Sequence, residues 1–177
     1  FLTHPKVKGI TFVGTTKAGK HIYSVAAAHG KRVQALCEAK NHALVMEDAP
    51  IERTAAGIIN AAYGCAGERC MALPVVVAHE KIADKLAEEL LKQAKLIKVG
   101  PAYDKTSKLG PVVNIVHKKR IEDYIAKGVE EGAKLLLDGR NVKVEGFENG
   151  FYLAPTIFDY VTEDMVIGKE EIFGPVL

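Results

Sequence analysis

Cys65 and Cys70 stand five positions apart in the stretch YGCAGERCM, with Glu68 and Arg69 directly before the second cysteine. Such a pair can serve a metal site, a disulfide, or a thiolate nucleophile beside a cation. A metal site needs more ligands. The chain has no second cysteine pair nearby, the spacing is not C-x2-C, and the six histidines do not cluster. Three cysteines, at 37, 65 and 70, make an odd count without the spacing of a disulfide framework, which points to a reducing, intracellular compartment. Cys65 falls toward the end of an alanine-rich helix and reads as a small core residue. Cys70 follows a helix-ending Gly67, and the charge of Arg69 favours its thiolate. It is either a nucleophile or one more packed cysteine. Arg69 itself is either a solvated charge or a guanidinium that grips a substrate carboxylate by two parallel hydrogen bonds.

Three other stretches carry candidate chemistry. GTTKAGKH, residues 14–21, follows a strand and nearly spells the phosphate loop GxxxxGK[ST], but His21 stands where a magnesium-holding hydroxyl belongs. What survives is a glycine- and threonine-rich turn whose backbone N–H groups can face a phosphate, or a plain tight turn. Glu38, in LCEAKNH, is a general base or a surface carboxylate, and the sequence does not choose. EEIFGP, residues 170–175, sets carboxylates and an aromatic before a Gly-Pro turn that a loop could need for structure alone.

The elements that must position these residues follow from periodicity. Residues 8–14 read as a buried strand entering a loop, residues 23–28 as a helix, and RVQALCEAK and ALVM as strands. Asp48 and Pro50 signal a helix start, and Ile51, Ala55, Ile58, Ile59 and Ala62 form its apolar stripe, ended by Gly64 to Gly67. Residues 72–78 read as a buried strand. Residues 80–95 read as an amphipathic helix with Ile82, Leu86 and Leu90 inward. Asn114 can cap a helix whose inner face carries Ile121, Ile125 and Val129, and KLLLDG and FYLAPTIF finish as strands. Strands alternating with helices imply an α/β fold, a layered parallel sheet with helices on both faces.

At 177 residues, 48 % hydrophobic and 26 % charged, the chain is long enough for one domain with a substantial core. A net charge of +2 and short basic runs such as Lys118-Lys119-Arg120 exclude a nucleic-acid track. No apolar run reaches the roughly 18 residues of a membrane span, and no signal-peptide pattern opens the chain. It starts at Phe1 and ends on the apolar FGPVL, so it reads as a piece of a longer protein, cut at both ends.

Together these stretches resemble the aldehyde dehydrogenase superfamily over essentially the whole chain. TFVGTTKAG resembles the family's dinucleotide-facing F-x-G-[ST]-T-x-x-G, and GERC resembles G-Q-x-C with its nucleophilic cysteine. EEIFGP is nearly literal for the segment whose second glutamate holds the nicotinamide ribose and whose phenylalanine touches the nicotinamide. AKNHALVM and GERCMAL resemble the methylmalonate-semialdehyde dehydrogenase subfamily, in which the arginine before the cysteine binds the substrate carboxylate. The resemblance implies a dehydrogenase-type catalytic domain over residues 31–177, preceded at 1–30 by the end of a dinucleotide-binding domain. It implies NAD as cofactor, coenzyme A as co-substrate, a small semialdehyde as substrate, and a cytoplasmic or mitochondrial-matrix homodimer or homotetramer at full length. On the matching positions, Cys70 is the nucleophile and Arg69 the carboxylate clamp. Gly14, Thr15, Thr16, Gly19, Cys37, Glu171 and Phe173 approach the dinucleotide, Cys37 through its backbone.

Hydrolytic members carry a base in E-L-G-G-K, four residues before the lysine; counting back from Lys40 gives Leu36, and Glu38 stands two residues too late. The acyl-enzyme is therefore expected to await coenzyme A rather than water. A hydrolytic enzyme and an idle association module are the alternatives. Glu38 and Glu68 replace the subfamily's usual Gly and Gln and add negative charge near the thiolate. The chain alone is expected neither to bind NAD tightly nor to turn over.

Overall fold

The computed structural model describes residues 1–177, and the chain packs as two compact units, Phe1–Ala39 and Lys40–Leu177. The expected division after residue 30 lies nine residues earlier than this one. The reason is strand pairing: β2 (Arg32–Leu36) lies parallel to β1 (Gly9–Val13), in register from Gly9 opposite Arg32 to Val13 opposite Leu36. A parallel pair needs a crossover, and α1 (Thr16–Ala28) supplies it. This helix starts seven residues before the expected Tyr23. Thr15 is its cap, with extended backbone and a side-chain oxygen that accepts from the Ala18 N–H at 3.3 Å. Gly30, at φ 66°, ends it. Gly19 is buried, and a Cβ there would lie 2.4 Å from the Cys37 Sγ, so the glycine lets α1 lie closely on β2.

In the second unit β3 (His42–Val45) pairs in parallel with β4 (Val75–Ala78). The chain between them forms α2 (Ile51–Tyr63), and α3 (Glu80–Lys95) follows β4. Ala55, Ile58 and Ala62 from α2 meet Ile82, Leu86 and Leu90 from α3 in one apolar core with Val45. Burial of each large aliphatic there contributes about 1.5–3 kcal/mol. Pro50, not Asp48, is the cap position of α2. β4 is only partly covered, with Val77 48 % exposed, against the expected buried strand.

α4 (Ile115–Glu130) is capped as expected, with Asn114 Oδ1 accepting the His117 N–H at 2.8 Å. Its inner stripe is Ile121, Ile125 and Gly128, whereas Val129 is 46 % exposed. The short α5 (Val166–Lys169) explains this, because a Cβ at Gly128 would lie 2.7 Å from Ile167 Cδ1. A second core joins Ile121 and Ile125 to Leu153, Phe158, Ile167, Ile172 and Val176.

β5 (Lys134–Leu137) and β6 (Ile157–Asp159) pair antiparallel, with an irregularity between Leu135 and Leu137. This antiparallel pair accompanies the two parallel pairs, β1–β2 and β3–β4, of the expected α/β fold. β6 also covers only the end of FYLAPTIF, because Pro155 has no N–H to give a ladder. The buried Tyr63 hydroxyl, at the end of α2, donates to the Thr156 carbonyl just before β6 at 3.0 Å, and burial pushes its pKa up. No helix is long and apolar enough to cross a membrane.

Candidate active site

The second unit holds Arg69, Cys70, Glu171 and Phe173. After α2 the chain makes a short 3-10 turn, Gly64–Gly67, in which Cys65 (φ 53°), Ala66 (φ 55°) and Gly67 (φ 72°) are all left-handed. For Cys65 and Ala66 this costs on the order of 1 kcal/mol or more each. The turn buries Ala66 and Gly67 and throws Cys65 outward. Cys65 is exposed, not the core residue expected, because the left-handed backbone reverses the face that a continued helix would bury. At Gly67 the chain presses on Gly174, where a Cβ would lie 2.2 Å from the Gly174 carbonyl oxygen. The cysteine-bearing loop and the 170–174 segment are therefore in direct contact.

Cys70 and Met71 form the tip of a turn closed by the Ala72 N–H on the Arg69 carbonyl at 3.0 Å. Cys70 is exposed, as are Cys37 and Cys65. The amides of Cys70 and Met71 donate to no group in the chain. Behind this tip the loop is tied down. The Leu73 N–H reaches the Ala61 carbonyl at 3.2 Å. Arg69 Nη2 donates to the Asn60 and Ala61 carbonyls at 3.0 and 2.6 Å. Arg69 thus satisfies carbonyls in the last turn of α2, with its Nε buried and unpartnered. Of its donors, Nη1 bonds nothing in the chain.

The 170–173 segment is held by its carbonyls, and the groups holding it were not legible in the sequence. Lys40 Nζ donates to the Glu170 carbonyl at 2.7 Å. Arg120 Nη2 and Nη1 take the Glu171 and Ile172 carbonyls at 3.0 and 2.7 Å. His117 Nε2 meets the Phe173 carbonyl at 2.7 Å, which requires the tautomer protonated there. Four consecutive carbonyls are thus held by three side chains. Phe173 is left-handed (φ 60°), a conformation these bonds sustain. Tyr124 donates to the Glu170 carboxylate at 2.5 Å. His117 also lies 3.4 Å from Glu68, whose carboxylate accepts the Val113 N–H at 3.1 Å. Burial lowers the Lys40 pKa to about 8, against the opposing pull of Glu171 and Glu170.

In the first unit, Gly14, Thr15 and Thr16 lie at the junction of β1 and α1, while Gly19 faces Cys37 across the helix–strand contact. Glu38 is exposed, and its carboxylate accepts the Thr16 N–H at 3.2 Å, in the first turn of α1. This amide therefore takes an anionic oxygen, the chemistry expected of a phosphate-facing helix start.

The chain matches the aldehyde dehydrogenase family over residues 1–177. It is 50 % identical over 177 residues to malonate-semialdehyde dehydrogenase 1 of Oceanobacillus iheyensis, covering 100 % of this chain and 36 % of the relative. It is 53 % identical to malonate-semialdehyde dehydrogenase 1 of Geobacillus thermodenitrificans, covering 99 % and 36 %. The crystal structure of a putative methylmalonate-semialdehyde dehydrogenase from Sinorhizobium meliloti, complexed with NAD, superposes with a TM-score of 0.97 at 45 % identity, over 99 % of this chain and 36 % of that one. The chain thus spans about a third of the length of these relatives. With the cysteine turn, the carbonyl-held EEIFG segment and this likeness over its full extent, the chain belongs to the aldehyde dehydrogenase family.

Proposed function

We propose that this chain is the nucleophile-bearing part of an NAD-dependent dehydrogenase that oxidises malonate or methylmalonate semialdehyde and passes the acyl group to coenzyme A. The observation that carries the reading is Cys70 at an exposed tip with its own N–H free, on a loop packed against the segment of Glu171 and Phe173. The names of the relatives favour this substrate class.

Cys70 thiolate attacks the aldehyde carbon; the S–C bond forms and the carbonyl pair moves onto oxygen, which accepts the Cys70 N–H. When bound, NAD would supply the hydride acceptor for this oxidation, with the acyl group kept on Cys70 as a thioester. Glu171 and Phe173 would hold its nicotinamide end, and in the first unit Gly14, Thr15, Thr16, Gly19 and the Cys37 backbone would approach its phosphates. The Glu38 carboxylate on Thr16 supports that fit. Arg69 would meet the substrate carboxylate through Nη1, a single-pronged grip in place of the expected fork, because Nη2 is spent on α2. The thiol of coenzyme A then displaces the Cys70 sulfur, and loss of the substrate carboxylate as carbon dioxide gives acetyl- or propionyl-coenzyme A. Leu36, in place of a base, favours this acceptor over water. A homodimeric or homotetrameric state at full length belongs to the same proposal. The 177 residues alone are expected not to turn over, and a stoichiometric NADH signal from them would overturn that.

The test joins these residues to the complementary segments of the Geobacillus thermodenitrificans relative and follows NADH from malonate semialdehyde. A burst that continues only with coenzyme A, and an apparent KM raised by Arg69→Ala, supports the reading. Steady turnover without coenzyme A would assign a hydrolytic enzyme. Failure of Cys70→Ser to abolish NADH formation would leave the cysteine an idle inheritance.

A further inference from the structure

We infer that Asn41 is the positioning residue of the cysteine turn. This rests on the reading of Cys70 as nucleophile. Asn41 Nδ2 donates to the Cys70 carbonyl at 2.9 Å and to the Ala72 carbonyl at 2.7 Å, so one amide group brackets Met71 from behind. Both acceptors are carbonyls, which fixes the amide's orientation without ambiguity. The fold brings it there because β3 pairs in parallel with β4, His42 opposite Val75. The residue before β3 therefore lies beside the loop leading into β4. Its neighbour Lys40 holds the Glu170 carbonyl. Consecutive side chains thus grip the cysteine loop and the EEIFG segment.

The turn needs such a tie. Cys70 and Met71 make no other main-chain hydrogen bond besides the one Asn41 gives to Cys70, and Met71 is 85 % exposed, so no apolar burial fixes the tip. Pulling the Cys70 carbonyl inward turns the free Met71 N–H of the same peptide unit outward, while the peptide that carries the free Cys70 N–H is held through the Arg69 carbonyl by the Ala72 N–H, whose own carbonyl Asn41 also ties. Two unpaired amides fixed beside the sulfur favour thiolate and oxyanion alike. Releasing the turn lets them reorient.

The experiment is competitive alkylation of the chain with sub-stoichiometric iodoacetamide. Cleavage after lysine and arginine leaves each cysteine on its own peptide: Val33–Lys40, Thr54–Arg69 and Cys70–Lys81. All three cysteines are exposed, so Cys37 and Cys65 are internal references for access. Asn41→Leu removes both donors at similar volume, and Asn41→Asp removes them at the same shape; a common effect is not one of charge. The expected result is a wild-type Cys70 that reacts fastest and loses about tenfold in both variants, while Cys37 and Cys65 hold their rates. A Cys70 advantage unchanged in both variants would overturn the positioning role and leave the nucleophile reading intact. A wild-type Cys70 no faster than the other two would overturn that reading and this inference with it. A fall at Cys70 accompanied by a rise at Cys65 would mean general loosening, and would overturn the specific role.

Discussion

Gly67→Ala tests the contact that brings the two halves of the second unit's site together. Alanine at φ 72° costs about 1 kcal/mol relative to glycine. The new Cβ would stand 2.2 Å from the Gly174 carbonyl oxygen and 3.1 Å from that of Ala62, both main-chain atoms. Backbone must therefore retreat by roughly 1 Å to restore van der Waals distance. Overpacking of this kind costs about 1–3 kcal/mol, so the sum is about 2–4 kcal/mol, a large share of a domain's stability. Gly57→Ala, in exposed mid-α2 with nothing within 4 Å of the added carbon, is the matched control. It should stabilise by about 0.5–1 kcal/mol. Urea unfolding followed by circular dichroism measures both. A Gly67→Ala protein as stable as wild type, or a Gly57→Ala protein less stable than it, would refute the reasoning.

Further outcomes follow from other contacts. The folded-state pKa of Lys40, about 8, lies below its unfolded value. The unfolded chain therefore binds more protons above pH 8, and the lysine's contribution to stability grows as pH rises through that region. Between pH 8 and 9.5 the gain is at most about 2 kcal/mol, and Lys40→Met should abolish it in urea titrations across that range. Arg120→Met, which strips donors from the Glu171 and Ile172 carbonyls, should cost about 2 kcal/mol and raise amide exchange in residues 170–174 before any other segment. Exchange unchanged there would contradict the holding role. Tyr63→Phe leaves the Thr156 carbonyl without its donor and should lower stability by about 1–2 kcal/mol in the same unfolding assay.

What the sequence disclosed and what it withheld divide along the range of the interactions. α3 was legible throughout, because Ile82, Leu86 and Leu90 repeat at helical spacing, and the cap of α4 at Asn114 is a local signal. The start of α1 was missed at Thr15 because Gly19 weakens the helical pattern, yet that glycine is what lets the helix approach Cys37. Cys65 was misplaced because three left-handed residues in succession have no signature in an alanine-rich run. Cys70 could be picked out as a candidate from local sequence, and Glu171 and Phe173 from the resemblance of EEIFGP to the family's segment. Their supports could not: Asn41 lies 29 residues from Cys70, His117 56 from Phe173 and Arg120 52 from Ile172. Only the tertiary fold makes these pairs neighbours. Arg69 was legible by type, but its anchoring on α2 was not, since any nearby carbonyl was equally available to it on paper.

The most direct test of the central claim is the site of the covalent adduct. The joined protein described above would be incubated with malonate semialdehyde and NAD without coenzyme A, quenched in acid, cleaved, and the acylated peptide identified by mass. The account predicts one thioester on Cys70–Lys81, discharged by coenzyme A and absent from Cys70→Ser. An adduct on the peptide of Cys65 or Cys37, or NADH formation that persists in Cys70→Ser, would contradict it.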